Sequence, residues 1–261
     1  MRDLKIIINA DDLGETPAVN DATFSLMSDG RITSATMMAN GPEIEAACES
    51  AQAFPNCSFG VHLNVTDHYP LSNPDPLRRI LDGEGKFAGE SAFRNVPINS
   101  ELAKAIVDEF CAQIERIKSL GISVSHVDSH HHVHTMPNMF RVIKATQKQC
   151  DISAIRISRN ITSPNETTSA SLRLKKWAYN FALRHYIKTN TTQGFTDFDS
   201  FYKAAIIGQV HFETVEVMVH PGSKVYGEKE TQLLKTFWEQ DVNDEIRFVN
   251  FKNLHSNNRR F

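Results

Sequence analysis

Three observations predict an α/β chain wound as a distorted, nearly closed (β/α) barrel with mainly parallel strands. Short β-branched runs alternate with helical patterns along the 261 residues, and such alternation builds a parallel sheet with helices outside it. About seven of these units fit a closing barrel better than an open sheet. The polar, histidine-rich motifs follow the strand runs, at the end where such barrels keep their chemistry. With no internal repeat, low-complexity stretch or linker in the sequence, residues 1–261 are expected to form a single domain.

Leu4 to Asn9 reads as a buried strand. Pro17 to Met27 is a predicted helix, with proline in its first turn and Gly30 past its end. Thr33 to Met38 is a second strand, Glu43 to Ala53 a helix, and Phe59 to Leu63 a third strand. Asn99 to Leu120 is a strong helix: Ala103, Ile106, Val107, Phe110, Ile114 and Ile117 recur at helical spacing, and Gly121 stops it. Ser123 to Asp128 is a strand, Asn138 to Lys148 a helix, and Ala154 to Ile157 a strand. Ser171 to His185 and Asp199 to Ile207 are helices. Val215 to Val219 is a strand, Glu228 to Gln240 a helix, and Ile246 to Phe251 the last strand. Thr66 to Pro97 and Arg159 to Ser169 break the alternation. Loops this long are usually functional lids or disordered segments, and both follow strands, so both are placed on the active face.

Composition narrows the function. Hydrophobic residues are 41% and charged residues 23%, ordinary for a globular protein. Lys plus Arg number 28 against 31 for Asp plus Glu, a net charge of −3, which argues against a nucleic-acid partner. No apolar run approaches the ~18 residues of a membrane span. The short N-terminal apolar run is closed by Asp11 and Asp12, where a secretory leader needs a longer one, so a cytoplasmic location is expected. Cys48, Cys57, Cys111 and Cys150 form no C-x-x-C pair and are expected to be buried free thiols.

Five places carry chemistry. Asp11 and Asp12 close the first strand, where both carboxylates can turn into one site: one to bind a cation, the other to take a proton. The same Asp-Asp-Leu-Gly run also makes a good solvated turn. His62 ends an apolar strand and by itself is better explained as a satisfied core residue. Residues 126–134 hold five of the eleven histidines. If extended, His126, Asp128 and His130 share one face. That sets two imidazoles, the commonest metal ligands, beside a carboxylate that can orient them. His220, before Pro221 and Gly222, either caps its strand or serves as a proton donor at the same rim. Arg156, inside an apolar strand, needs a partner if buried: Asp128, Asp11, or an anionic group of a substrate. Asp128 and Arg156 are the two residues expected to reach the substrate.

Together these motifs resemble the YdjC-like carbohydrate deacetylase family, whose activity includes removal of acetyl groups from chitooligosaccharides. The matching pieces are residues 9–14, 60–63 and 126–134, the Arg156 strand, residues 191–195 and residues 219–222, in the family's order. The resemblance implies that Asp12, His62 and His130 bind one divalent metal, that Asp11 is the catalytic carboxylate, and that His220 is the acid. It also implies a distorted, TIM-barrel-like fold, a homodimer, magnesium as the metal and an acetylated sugar as the small-molecule substrate. One carboxylate with two imidazoles suits zinc or another transition metal better than magnesium, which prefers oxygen ligands. The stretches 66–97 and 159–190 do not follow the family's pattern, and such loops choose the substrate. Two other readings stand beside the deacetylase: a metal-dependent phosphoesterase on a β/α barrel, with Arg156 on the phosphate, and a non-catalytic metal-binding barrel.

Overall fold

A computed structural model describes residues 3–225 and 227–254. Seven parallel strands form one curved sheet: β1 (Asp3–Leu13), β2 (Ser34–Met37), β3 (Ser58–Leu63), β4 (Val124–Ser129), β5 (Gly194–Asp197), β6 (Thr214–Val219) and β7 (Glu245–Phe248). The order is β4-β3-β2-β1-β6-β5, and β7 pairs with the first residues of β1. The length of β1 permits this. Asp3 to Ile6 pair with β7, while further along the same edge Asn9 to Leu13 pair with β2. The opposite edge pairs with β6 from Lys5 to Ala10.

The two free edges, β4 and β5, are joined by the chain between them. Arg156 donates its amide to the Val127 carbonyl (3.0 Å), and Asn160 donates to the Phe195 carbonyl (3.1 Å). The sheet is thereby nearly closed into the distorted barrel that the alternation predicts. Ala154 to Ile157, expected as a full strand, is this join: it makes only isolated bridges, Ile155 to Val127 and Ala154 to Asn190.

The helices pack outside: α1 (Pro17–Ser28), α2 (Ile44–Ala51), α3 (Glu90–Asn95), α4 (Ser100–Ser119), α5 (Phe140–Cys150), α6 (Ala170–Ala182), α7 (Phe198–Ile206), α8 (Gly227–Leu234) and α9 (Phe251–Leu254). Local chemistry sets their ends. The Thr16 hydroxyl caps α1 by accepting from the Val19 amide (3.2 Å), and the Asn99 side chain caps α4 by accepting from Leu102 (2.9 Å). α4 buries Ile106, Phe110, Ile114 and Ile117. It also buries Glu109, which accepts from the amides of Leu71 and Ser72 and so pins the start of the 66–97 loop. That loop contains a 3-10 turn over Asp75–Ile80 and α3. No helix among the described residues is long and apolar enough to cross a membrane.

Three further elements differ from the sequence reading. β5 was not foreseen: it has four residues and is bounded by Gly194 and Asp197, types that strands disfavour. The helix expected over 228–240 is split into α8 and a separate turn, because Trp238 swings into the core (1% exposed) among Phe198, Phe201 and Phe248. The last strand stops at Phe248, and Phe251 opens α9. Phe251 and Leu254 pack with Ile7 and Ala154 in a small cluster of their own. The Phe251 ring stacks on His126 at 3.6 Å. His126 can lie against β3 because residue 60 is glycine: a Cβ there would stand 2.6 Å from its ring. The polar, basic C-terminal tail beyond Leu254 lies outside the described residues.

Candidate active site

Inside the sheet, apolar packing gives way to polar packing toward the C-terminal strand ends. Ile7 lies in the cluster with Phe251; two residues on, Asn9 contacts His126 (3.2 Å), and two further on comes Asp11. At the end of β1 the register against β2 shifts, and Asp12 takes a left-handed φ of 63°. This bulge lets two adjacent carboxylates serve one cleft of about 620 Å3, which Asp11, Asp12, His62, His130, His220 and Glu230 all line.

The Asp12 Oδ1 atom lies 2.8 Å from His130 Nδ1 and 3.2 Å from His62 Nε2. Asp12, His62 and His130 each offer a ligand atom, all within 4.8 Å of one another. The other nitrogen of His62, Nδ1, is 2.7 Å from Asp128 Oδ1. This carboxylate–imidazole pairing fixes the ring so that Nε2 faces the cleft, as a metal-binding histidine requires. The donor set therefore fits a divalent cation. A second group, Asp67, His130 and His131, sits at the rim and shares His130 with the first.

Beneath the cleft lies a buried ionic network around Arg156. Its guanidinium grips Asp11 with two bonds of 2.6 Å, reaches Asp128 Oδ2 at 2.7 Å and Glu216 Oε1 at 2.7 Å, and stacks over the Phe195 ring at 4.7 Å. Thr36 donates to Asp128 (3.0 Å), and Asn9 donates to Asp11 (2.9 Å). Arg156, Asp128 and Glu216 are 0% exposed. Arg156 and Asp128, both expected to reach the substrate, are buried and are not among the residues that line the cleft. Arg156 is held by three carboxylates, and Asp128 orients His62.

These contacts set the charges. Burial works against ionisation of Asp11, but the charge and bonds of Arg156 overcome it and hold the carboxyl far below the usual range. Burial likewise opposes Asp12, and the hydrogen bonds of His130 and His62 hold it low. Burial pulls His62 down, yet the charge of Asp128 and the bond to Asp12 raise it well above an ordinary histidine. His130 is pushed up to about 9: its bonds to Asp12 and Asp67 outweigh burial. Glu216 rises to about 7, where burial outweighs Arg156.

The remaining histidines of the 126–134 run divide. His131 and His132 adopt left-handed φ values of 51° and 52°, which turn the chain over the cleft, and both line it. His134 is buried, bonded to Ser129 Oγ (2.6 Å) and to the Arg156 carbonyl (3.2 Å). His220 stands at the end of β6, its amide donating to Glu230 Oε2 at 2.6 Å. The turn behind it needs Gly222: φ is 73°, and a Cβ would collide with the Ala18 carbonyl.

Sequence reasoning missed Glu216 and Glu230. Glu216 carried a signal, a carboxylate in the middle of the apolar run Val215 to Val219. Glu230 carried none, since it belongs to the charged run Gly227-Glu228-Lys229-Glu230.

A family model described as YdjC-like protein matches residues 5–255. A carbohydrate deacetylase of Clostridium beijerinckii is 28% identical over 96% of this chain and 97% of its own. One from Oceanobacillus iheyensis is 34% identical over 57% of this chain, a match spanning 63% of that relative. A solved structure from Enterococcus faecalis V583, provisionally described as a cellobiose-phosphate cleavage protein, superposes with a TM-score of 0.77 over 97% of this chain and 99% of its own. Its identity is 22%, so the likeness concerns the fold.

Proposed function

The chain belongs to the YdjC-like protein family, and on that premise we propose that it is a metal-dependent carbohydrate deacetylase, removing the acetyl group from an N-acetylated sugar. One observation carries the reading: the Asp12, His62 and His130 triad opens into the same cleft as Asp11 and His220. Two imidazoles and one carboxylate favour zinc or a similar transition ion over magnesium.

When bound, such an ion supplies Lewis acidity, activating water and stabilising negative charge on a carbonyl oxygen. The chain's own residues do the rest. Asp11 accepts a proton from water attacking the acetyl carbonyl. Arg156 keeps Asp11 ionised and aimed. His220 gives a proton to the sugar nitrogen as the amide bond breaks, so that an amine leaves and not its anion. The linkage Asp12–His62–Asp128–Arg156–Asp11 joins the ligand set to the base through bonds of 3.2 Å or less.

Chelator-sensitive acetate release tests this. N-acetylglucosamine, chitobiose and chitotriose are incubated with chelated protein and then with single metals added back. Acetate appearing only after add-back, at one ion per chain, supports the reading. Two ions per chain with hydrolysis of phosphate esters and no acetate would replace it by the phosphoesterase. The burial of Arg156 weakens that alternative, which needed its guanidinium for the phosphate.

Cation binding should release protons. Without the ion, His62 and His130 are held charged, and each must become neutral to donate a lone pair. Affinity should therefore rise with pH up to about 9, the value of His130. At pH 7, titration calorimetry in two buffers of different ionisation enthalpy should give about one to two protons released per ion. A pH-independent affinity would remove both histidines from the ligand set.

A further inference from the structure

A second cleft, of about 610 Å3, lies beside the first, lined by α6, the 159–169 loop and the chain preceding β5. Four cations line it, Arg159, Arg173, Lys176 and Arg184, and no carboxylate does. Arg159 joins the two clefts: it lies 3.4 Å from Asp197, which lines the active cleft, and 2.6 Å from Glu166. Arg184 is fixed by neutral partners, the Thr191 hydroxyl (2.8 Å) and the Thr192 carbonyl (2.9 Å), which leave its charge uncompensated. Among the described residues, Arg173, Lys176 and Arg184 have no carboxylate within the 4.0 Å of an ion pair.

Like charges gathered in one cavity repel each other unless an anion comes between them. Lys176 registers this: burial and then the charge of Arg159 hold its ammonium below the usual lysine value, although Glu166, bonded to Arg159, acts the other way. The cavity is larger than one inorganic ion needs and falls in the range of small-molecule sites. Its walls include two rings, Trp177 and Phe212. Trp177 is 62% exposed yet stacked on Phe181 at 5.5 Å, so an open aromatic surface stands beside the cations. A guanidinium cluster recognises phosphate or carboxylate by paired, charge-assisted bonds, and an aromatic face covers the apolar side of a ring.

We infer that this cleft is a second binding site, for a saccharide that bears an oxyanion, whether phosphate or carboxylate. The site is separate from the metal triad, and its occupancy is read by binding, whatever reaction the active cleft performs.

The metal-loaded protein is titrated with glucose 6-phosphate, glucuronate and glucose. The two anions should bind saturably at one per chain, more weakly as salt is raised, and glucose should not. The chain has two tryptophans, and Trp238 is buried; binding should quench fluorescence, and Trp177→Phe should abolish the quench. The Arg173→Ala, Lys176→Ala double variant should bind the anions about tenfold or more weakly while keeping its circular dichroism and its metal content. Absence of saturable binding by either anion overturns the proposal. So does binding undiminished in the double variant, or binding lost instead in Asp12→Asn, which would assign it to the active cleft. A second arm identifies the source. If a 6-phosphate lowers KM for an acetylated sugar and the double variant cancels that gain, the oxyanion belongs to the substrate. If glucose 6-phosphate binds without competing with any acetylated sugar, it is a separate ligand. If no acetylated sugar reacts at all, the proposed activity fails and the binding result stands by itself.

Discussion

Arg156→Met should be the most destabilising single substitution in the site, lowering unfolding free energy by about 3–5 kcal/mol, the usual cost of removing one partner from a buried ion pair. The side chain is 0% exposed, and so are two of its three carboxylate partners, Asp128 and Glu216; Asp11 is 2% exposed. Methionine fills much of the volume and keeps contact with Phe195, so the loss reads the charge and not a cavity. Three carboxylates would then share a buried space with only His62, bonded to Asp128 at 2.7 Å, as a cation beside them. They can relieve this only by taking up protons, and Glu216, already near 7, does so first. The pH dependence follows. In the parent, Asp11 is depressed, so its stabilisation is present above the ordinary aspartate pKa of 3.8 and fades as pH falls through the lowered value. In the variant the carboxyls are raised, so stability is lost as pH rises. The gap between the two proteins should therefore narrow from pH 8 to pH 5, measured by urea unfolding. Arg156→Lys keeps the charge but not the fork and should fall between them. A difference under about 1 kcal/mol at pH 8 would mean that the network contributes no net stability.

Much of this centre was legible because each piece of it stands at a strand end, where an apolar run stops abruptly at a carboxylate or an imidazole. Asp12, His62, His130, Asp11 and His220 announce themselves that way, and the structure brings all five to one cleft. Face alternation sends His126 and Asp128 to the inner side of β4, while His130 lies just past the strand, in the turn that follows it. Depth is what alternation cannot supply. It places a side chain on the inner face but not at a height along the barrel axis, so it does not show that Asp128 and Arg156 lie one layer below the residues that line the cleft. The same limit hides Glu216, whose position in an apolar strand marks it as unusual without naming Arg156 as its partner. Elements defined by distant packing were also illegible. Trp238 interrupts a helical pattern because three aromatic rings from elsewhere in the chain receive it. Phe251 ends a strand pattern because the inside of the barrel below His126 needs filling.

Asp11→Asn should lower kcat about 10²- to 10⁴-fold, the range for loss of a general base, while leaving metal content and fold intact. Asp11 is not among the three proposed ligands, so the ion should remain at one per chain. The amide carbonyl can still accept from Arg156, and Arg156 keeps Asp128 and Glu216, so the buried cation stays paired. What asparagine cannot do is take a proton. The pH profile makes the assignment specific. Because burial is overcome by Arg156, Asp11 is ionised far into acid, and its titration cannot shape the rate between pH 5 and 9. The acid limb belongs instead to His62 and His130, whose protons compete with the cation and leave as pH rises. The variant should therefore show a lowered curve of unchanged shape, parallel to the parent's. His220→Ala should also lower kcat about 10²-fold or more, but its loss should ease for substrates whose leaving amine is activated and needs no donated proton. A parallel loss that such a substrate does not rescue is the signature of the base, and rescue is the signature of the acid. If Asp11→Asn retained the parent's turnover, the proton would have to go elsewhere, and Glu230, at about 7 in the same cleft, would be the group to replace next.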